Sequence, residues 1–394
     1  MSLVGTVRSG GSRLAGVDGL RAAAALWVVL FHMRAFSGVT IRGIPGLDLL
    51  IRSGSTGVSL FLVISGFCLY RPFAAGRSDR FQVWAFLKRR SRRLMPAYYA
   101  SLLGALVLVV VGGTALGFPA LTPLQVLGQA VMHALMLQTL LPSTFYALNG
   151  AYWSLGLEWQ LYLTLPVLIW IARRRGIAFT VLLAVGVNVV YRLGLWLAVR
   201  HGSVAAGSLL ATAVLPNLLF GRWAEFAYGM LAAELSASGR LTSSAPWYRW
   251  LRWSLLLLVP LGFLLVNSPL SHLVFGAVFF VLLLIVLAGS NPIAAVFSWR
   301  PLVGLGVMSY SLYLVHQPVI QALAHVLRAY AQLSTGRTFA VLVLLLPAII
   351  GLAWILFVTV ERRTLNAPER RPASPVAAPA APPASAAAGI APAD

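Results

Sequence analysis

The chain has 394 residues, of which 59% are hydrophobic and 10% charged, with 30 Lys and Arg against nine Asp and Glu for a formal charge of +21. A soluble domain carries about 25% charged residues, so this balance excludes an ordinary soluble protein and describes one that crosses a bilayer several times. The basic residues cluster between apolar runs, which is the pattern of the positive-inside rule and excludes nucleic acid as the partner that the charge alone would imply.

Ten apolar spans are predicted, in an all-α, polytopic transmembrane helix bundle: 18–37, 54–73, 95–115, 152–172, 177–199, 216–236, 251–268, 272–289, 303–323 and 338–360. Residues 1–17 carry no cleavable signal pattern and read as a cytoplasmic segment ahead of a signal anchor. With that end inside, the basic stretches 71–93, 173–175, 240–252, 300 and 362–363 all fall on the cytoplasmic side. The stretch 116–151 then lies outside, yet it is too apolar for a plain loop and reads as a re-entrant or interfacial helix. The membrane domain runs over 18–363, and 364–394 is expected to be a disordered Pro/Ala-rich cytoplasmic tail. A multi-pass protein of a bacterial plasma membrane, both termini cytoplasmic, is the implied localisation.

Arg21 and His32 share the first span with ten residues between them. Eleven helical steps are close to three whole turns, so the two lie on one face, roughly 16 Å apart along the axis, and Asp18 joins that face. Intramembrane ionisable groups are costly unless they face a protein interior or a wet cavity, which makes this trio a functional candidate, with a buried ion pair and a packing histidine as the bland alternative. Cys68, the single cysteine, excludes an intramolecular disulfide and a thiolate metal cluster, and no metal site is expected. Lys88, Arg89, Arg90, Arg92 and Arg93 stand at the cytoplasmic mouth of the third span. Arg89, Arg90 and Arg93 are candidates for holding the phosphates of a nucleotide-like or CoA-like ligand, although the run taken alone favours anchoring of topology.

Asp18, Glu158, Glu225 and Glu234 are the acids placed within spans. Glu158, with Tyr162 one turn on, is expected near the outer end of the fourth span, where it could meet His32. Arg222 and Glu225 at i, i+3 form either a self-contained ion pair or an acceptor contact. His316 lies about 20 Å into the ninth span, beside Tyr310, Tyr313 and Pro318, where a packing role and a polar seam are both open.

The segments GVDGLRAAAALWVVLFH, VSLFLVISGF, RRSRRLMPAYY, YWSLGLEWQLYL, EFAYGML and SYSLYLVHQP, in this order, resemble the motifs of acyltransferase family 3, bacterial integral-membrane O-acyltransferases. The resemblance covers the chain from about Gly16 to Arg363. It implies a bundle of about ten helices that moves an acyl group, often acetyl, from cytoplasmic acyl-CoA to a hydroxyl on a sugar, glycan or secondary metabolite, with no bound cofactor. Carried over residue by residue, it assigns Arg21 and His32 to the family's Arg-x10-His pattern with Asp18 as acidic neighbour, Arg90 and Arg93 to its donor-side Arg-x-x-Arg, and Trp153, Ser154 and Glu158 to its Trp-Ser-Leu-x-x-Glu. Trp159 stands where a second acid is often seen, and Gln317 where Trp usually precedes the proline, a change expected to alter acceptor specificity. His32 is then the general base, Arg21 holds the donor or the developing charge, and Glu158 orients His32 or binds the acceptor. Arg222, Tyr313 and His316 complete the expected surroundings. An exporter of an acylated or glycosylated metabolite, its intramembrane charges lining a substrate path, is the competing function.

Overall fold

A computed structural model of the protein describes residues 14–76 and 81–365. Most of the N-terminal segment and nearly all of the Pro/Ala-rich tail lie outside the described residues. Every predicted span contains a helix, and the described residues contain no strand. The principal helices are α1 (Ala15–Ser37), α2 (Gly57–Ala74), α3 (Val83–Val107), α4 (Pro123–Ala134), α5 (Trp153–Arg175), α6 (Ile177–Arg200) and α7 (Leu219–Ala237). They are followed by α8 (Pro246–Leu264), α9 (Ser271–Leu287), α10 (Arg300–Val307), α11 (Ser309–Ala329), α12 (Thr335–Leu344) and α13 (Leu346–Leu356).

Five helical stretches, ending at Ser37, Ala74, Leu116, Arg175 and Arg200, are long and apolar enough to cross a membrane by themselves. The α12–α13 pair, bent by 47° where the chain meets Pro347, makes a sixth if it is one span. This is a multi-pass membrane protein.

α1 runs through the middle, against α2, α10 and α11. Gly19 on α1 lies against the backbone of Phe297, and Gly306 on α10 against the backbone of Asp18, so neither position has room for a side chain. The same economy fixes α2 on α7, where Gly66 meets the Phe226 carbonyl and Gly229 that of Val63. At the far end of α1, Arg34 grips Asp48 through two 2.8 Å hydrogen bonds, from Nε to Oδ1 and from Nη2 to Oδ2.

Three boundaries move. α3 begins twelve residues before the predicted span, at Val83, because the basic run consists of good helix formers and continues the helix rather than a loop. The ninth span is broken at Met308 between α10 and α11 and extends to Ala329. Within 116–151, α4 has 12 residues behind a Thr122–Gln125 capping box, too few to cross, and the chain then turns inward, burying Gln138, Thr139, Thr144 and Asn149. The re-entrant reading of that stretch matches this geometry.

Candidate active site

Five helices and the end of a sixth element enclose a cavity of about 100 Å³. α1 supplies Arg21, α2 Ser65 and Cys68, α3 Arg90 and Arg93, α5 Ser154, Glu158 and Tyr162, α11 Tyr310 and Tyr313, and the turn after α13 supplies Glu361. Three guanidinium groups and two carboxylates thus share one enclosed space. Arg21 reaches Cys68 Sγ at 3.8 Å and has Asp18 and Glu158 as charged neighbours of opposite sign. Glu158 Oε1 accepts from Ser65 Oγ at 3.0 Å and from the Tyr162 hydroxyl at 2.5 Å. The Arg90 guanidinium lies 5.8 Å from the Phe86 ring and 5.9 Å from that of Tyr162, so its flat face is packed while its edge stays available.

His32 is not on the cavity wall. Its Nδ1 lies 2.9 Å from the Val28 carbonyl and 3.2 Å from His316 Nε2. His316 is fully buried, with its own Nδ1 2.8 Å from the Tyr313 carbonyl. One neutral tautomer assignment satisfies every partner. His316 Nδ1–H donates to Tyr313, His32 Nδ1–H is shared between Val28 and His316 Nε2, and His32 Nε2 keeps a free lone pair. Tyr313 joins the two regions, because it lines the cavity while its ring stands 5.4 Å from that of His316. Phe61, edge-on to Tyr313 at 5.8 Å, shares that wall.

The register of His316 follows from Pro318. A proline cannot donate to the carbonyl four residues back, which orphans the Leu314 carbonyl inside the bundle. Asn149 Nδ2 donates to it at 2.8 Å and Ser101 Oγ at 3.1 Å. The re-entrant stretch therefore clamps α11 two residues from His316. Gln317 Oε1 accepts from the Ala151 amide at 3.1 Å in the same clamp.

Arg21, Arg90, Arg93, Glu158, Ser154 and Tyr313 line this one cavity. Glu158 does not meet His32. The re-entrant stretch starts α5 at the depth of Leu314 rather than at the membrane surface, which carries Glu158 to the level of Arg21. Arg89 is exposed and off the cavity, since Arg90 and Arg93 at i, i+3 take the inward face. Arg222 is 1% exposed, with Nε 2.8 Å from Glu225 Oε2 and Nη2 donating to Ser59 at 3.3 Å, so the ion-pair alternative is the one realised. Its guanidinium also lies 5.9 Å from the ring of Trp153, which stacks on Phe145 behind the cavity wall.

Glu361 escaped the sequence reading. It sits one residue past the predicted last span and before Arg362 and Arg363, where an acid reads as surface. A π-turn over Phe357–Glu361 inserts an extra residue and swings it inward, where it accepts from Ser311 Oγ at 2.5 Å. An acid closing an apolar run in a chain with so few acids was the available signal.

The O-acetyltransferase OatA of Staphylococcus aureus strain NCTC 8325 is 25% identical over 336 residues, which is 78% of this chain and 50% of that protein. The acyltransferase MdmB of Streptomyces mycarofaciens is 31% identical over 158 residues, 39% of each chain. The chain thus spans about half the length of the OatA proteins it matches. No solved structure matches it. The family model described as an acyltransferase domain matches residues 14–358, nearly the whole described chain and all of the cavity except Glu361. The chain belongs to acyltransferase family 3.

Proposed function

We propose that the protein is an O-acyltransferase of a bacterial plasma membrane that moves an acyl group, acetyl first among them, from cytoplasmic acyl-CoA to a hydroxyl of a glycan or small molecule. The observation that carries this reading is the convergence of Arg21, Arg90 and Arg93 on one cavity that abuts the His32–His316 pair through Tyr313. Guanidinium forks suit phosphate oxygens, and an ion-pair role alone requires no empty space between them. The rise from Arg21 to His32, about 16 Å, matches the reach of an extended CoA arm, so Arg21 belongs with the donor and not with the charge developing at the reacting carbonyl. The orientation rests on the positive-inside pattern, which puts the mouth of the cavity in the cytoplasm with both termini.

In this reading the acceptor hydroxyl gives its proton to His32 Nε2 as its oxygen attacks the thioester carbonyl. An ester C–O bond forms, the C–S bond breaks, and the CoA thiolate takes the proton back from the imidazolium. His316 acts through His32, fixing its tautomer as a carboxylate does in other acyl-transfer sites. The tautomer network, which leaves His32 Nε2 as a base, supports direct transfer without a covalent enzyme intermediate on Cys68, whose sulfur lies 3.8 Å from an Arg21 nitrogen.

The test is transfer from radiolabelled acetyl-CoA by membranes containing the protein. Arg90→Ala and Arg93→Ala should each raise the donor concentration needed by about tenfold or more, since a charge-assisted hydrogen bond is worth about 1.5–3 kcal/mol. Arg89→Ala should not change it. Equal effects at all three positions, or inverted topology with unchanged donor requirement, would make the cluster an anchor.

A further inference from the structure

One face of α2 lines the arginine cavity, and that face changes character along its length. Cys68 and Ser65 stand beside Arg21 and Glu158, at 3.8 Å and 3.0 Å from them. One to two turns earlier on the same face come Leu62, Phe61 and Val58. The cavity therefore has a polar end, at Arg21 and Glu158, and an apolar end. The apolar end leads toward the histidine pair. A side chain on Gly57 would meet the Ala24 carbonyl and the Val28 side chain at 2.9 Å, so α2 begins directly on the turn of α1 whose Val28 carbonyl lies 2.9 Å from His32 Nδ1.

Two rings close that end, and they are held differently. The Tyr313 hydroxyl donates to the Ala151 carbonyl at 3.1 Å and shares a 2.6 Å hydrogen bond with Ser154 Oγ. Phe61, edge-on to it at 5.8 Å, has only packing to hold it. It is half-buried and stands where three hydrophobic clusters join: one centred on α2, α5, α7 and α9, one on α3 and the start of α5, and one on the C-terminal half of α1 with α11 and α13. Turning Tyr313 aside breaks two buried hydrogen bonds, whereas turning Phe61 exchanges one set of apolar contacts for another, so Phe61 is the ring that yields. Side chains hop between staggered rotamers, and such a hop shifts the ring without taking it out of the pocket. The room it opens is narrow.

We propose that Phe61 sets the length of the acyl chain that the enzyme transfers, by closing the apolar end of the cavity to all but a short group. The proposal rests on the acyltransferase reading: with the CoA phosphates held at the arginines, the thioester and its chain come last along the cavity, against Leu62, Phe61 and Val58. Phe61 meets the chain and not the reacting carbonyl, so it is a specificity-determining residue. Each methylene that such a wall refuses lowers kcat/KM by about tenfold or more. Truncation of Phe61 to alanine removes its ring and opens room for a chain longer by about six carbons.

The experiment gives membranes containing the protein radiolabelled acetyl-, butyryl- or octanoyl-CoA over a range of concentrations and measures base-labile ester label formed on the acceptors of the same membranes. The wild-type protein should use octanoyl-CoA at least about a hundredfold less well than acetyl-CoA, in kcat/KM. Phe61→Ala should narrow that ratio by at least about tenfold, Phe61→Leu should narrow it less and for butyryl-CoA first, and Phe61→Trp should widen it for butyryl-CoA. Phe263→Ala removes the same kind of ring from its edge-on contact with Phe275, away from the cavity, and should leave the ratio where it was. If Phe61→Ala does not insert, Phe61→Leu carries the same test. A wild-type protein that takes all three donors equally, an unchanged ratio in the Phe61 variants, or an equal change in Phe263→Ala overturns the proposal and leaves the enzyme reading intact. Absence of transfer from every acyl-CoA by wild-type membranes overturns that reading itself.

Discussion

Two arginine clusters lie within this bundle, and they differ in one respect that matters. Arg222 and Arg192 are enclosed by partners: Glu225, Ser59 and Asn217 for the first, Asn188 and the carbonyls of Pro269 and Gly221 for the second. Arg21, Arg90 and Arg93 face a void. Both clusters satisfy the rule that intramembrane charge is expensive and therefore meaningful, so the rule alone does not separate a strut from a site. Unfilled space beside the charge does. The first cluster should answer to substitution in stability, and the second, with the histidine pair it abuts, in chemistry.

The largest expected effect is at the pair. His32→Ala should lower transfer by about 10² to 10⁴ while the protein stays folded and inserted, because a general base contributes that much and the packing change is local. His32→Gln should be equally inactive. Transfer by either variant within a few fold of wild type removes His32 from the reaction.

Next comes the enclosed cluster. Glu225→Ala strands Arg222 without its carboxylate and should cost about 3–5 kcal/mol of stability, read by unfolding in detergent. Replacing both partners by Arg222→Met and Glu225→Leu should recover most of that loss. A folded double variant that retains transfer confirms a strut, whereas a folded but inactive one would bring this cluster into the chemistry and erase the contrast.

How far the sequence carried can be seen in the same residues. Helical spacing placed Arg21 and His32 on α1, and the scarcity of acids drew attention to Glu158 and Glu225, because in a membrane chain each charged residue is a strong signal against a uniform background. Depth was not legible. Whether Glu158 stands beside His32 or beside Arg21 depends on where α5 begins, and that is set by a re-entrant stretch whose long-range hydrogen bonds to Leu314 and Gln317 leave no periodic trace. The inward turn of Glu361 depends on a single extra residue in a π-turn, which composition does not encode. Nor does spacing reveal that His316, almost three hundred residues from His32, is its hydrogen-bonding neighbour.

His316 offers a finer measure of the pair. Its contribution is one hydrogen-bond acceptor, so His316→Leu should lower the turnover rate by about fivefold, with donor and acceptor requirements little changed, in line with a net value near 1 kcal/mol. His316→Gln, whose amide oxygen accepts in the same place, should recover part of the rate. Equal losses for the two replacements would assign His316 to packing.

The smallest effect belongs to the clamp that sets the register of α11, and it is resolved by comparing variants rather than by any one of them. Asn149→Ala leaves the Leu314 carbonyl its bond from Ser101, and Ser101→Ala leaves the one from Asn149, so each alone should cost about 0.5–1.5 kcal/mol of stability and a few fold in transfer. Removing both leaves a buried carbonyl with no donor, because Pro318 cannot supply one. The double variant should therefore lose more than the sum of the singles, by roughly 1 kcal/mol or more in a double-mutant cycle. Additivity would mean that water or another donor reaches Leu314, and that His316 is held in register by packing and not by the re-entrant stretch.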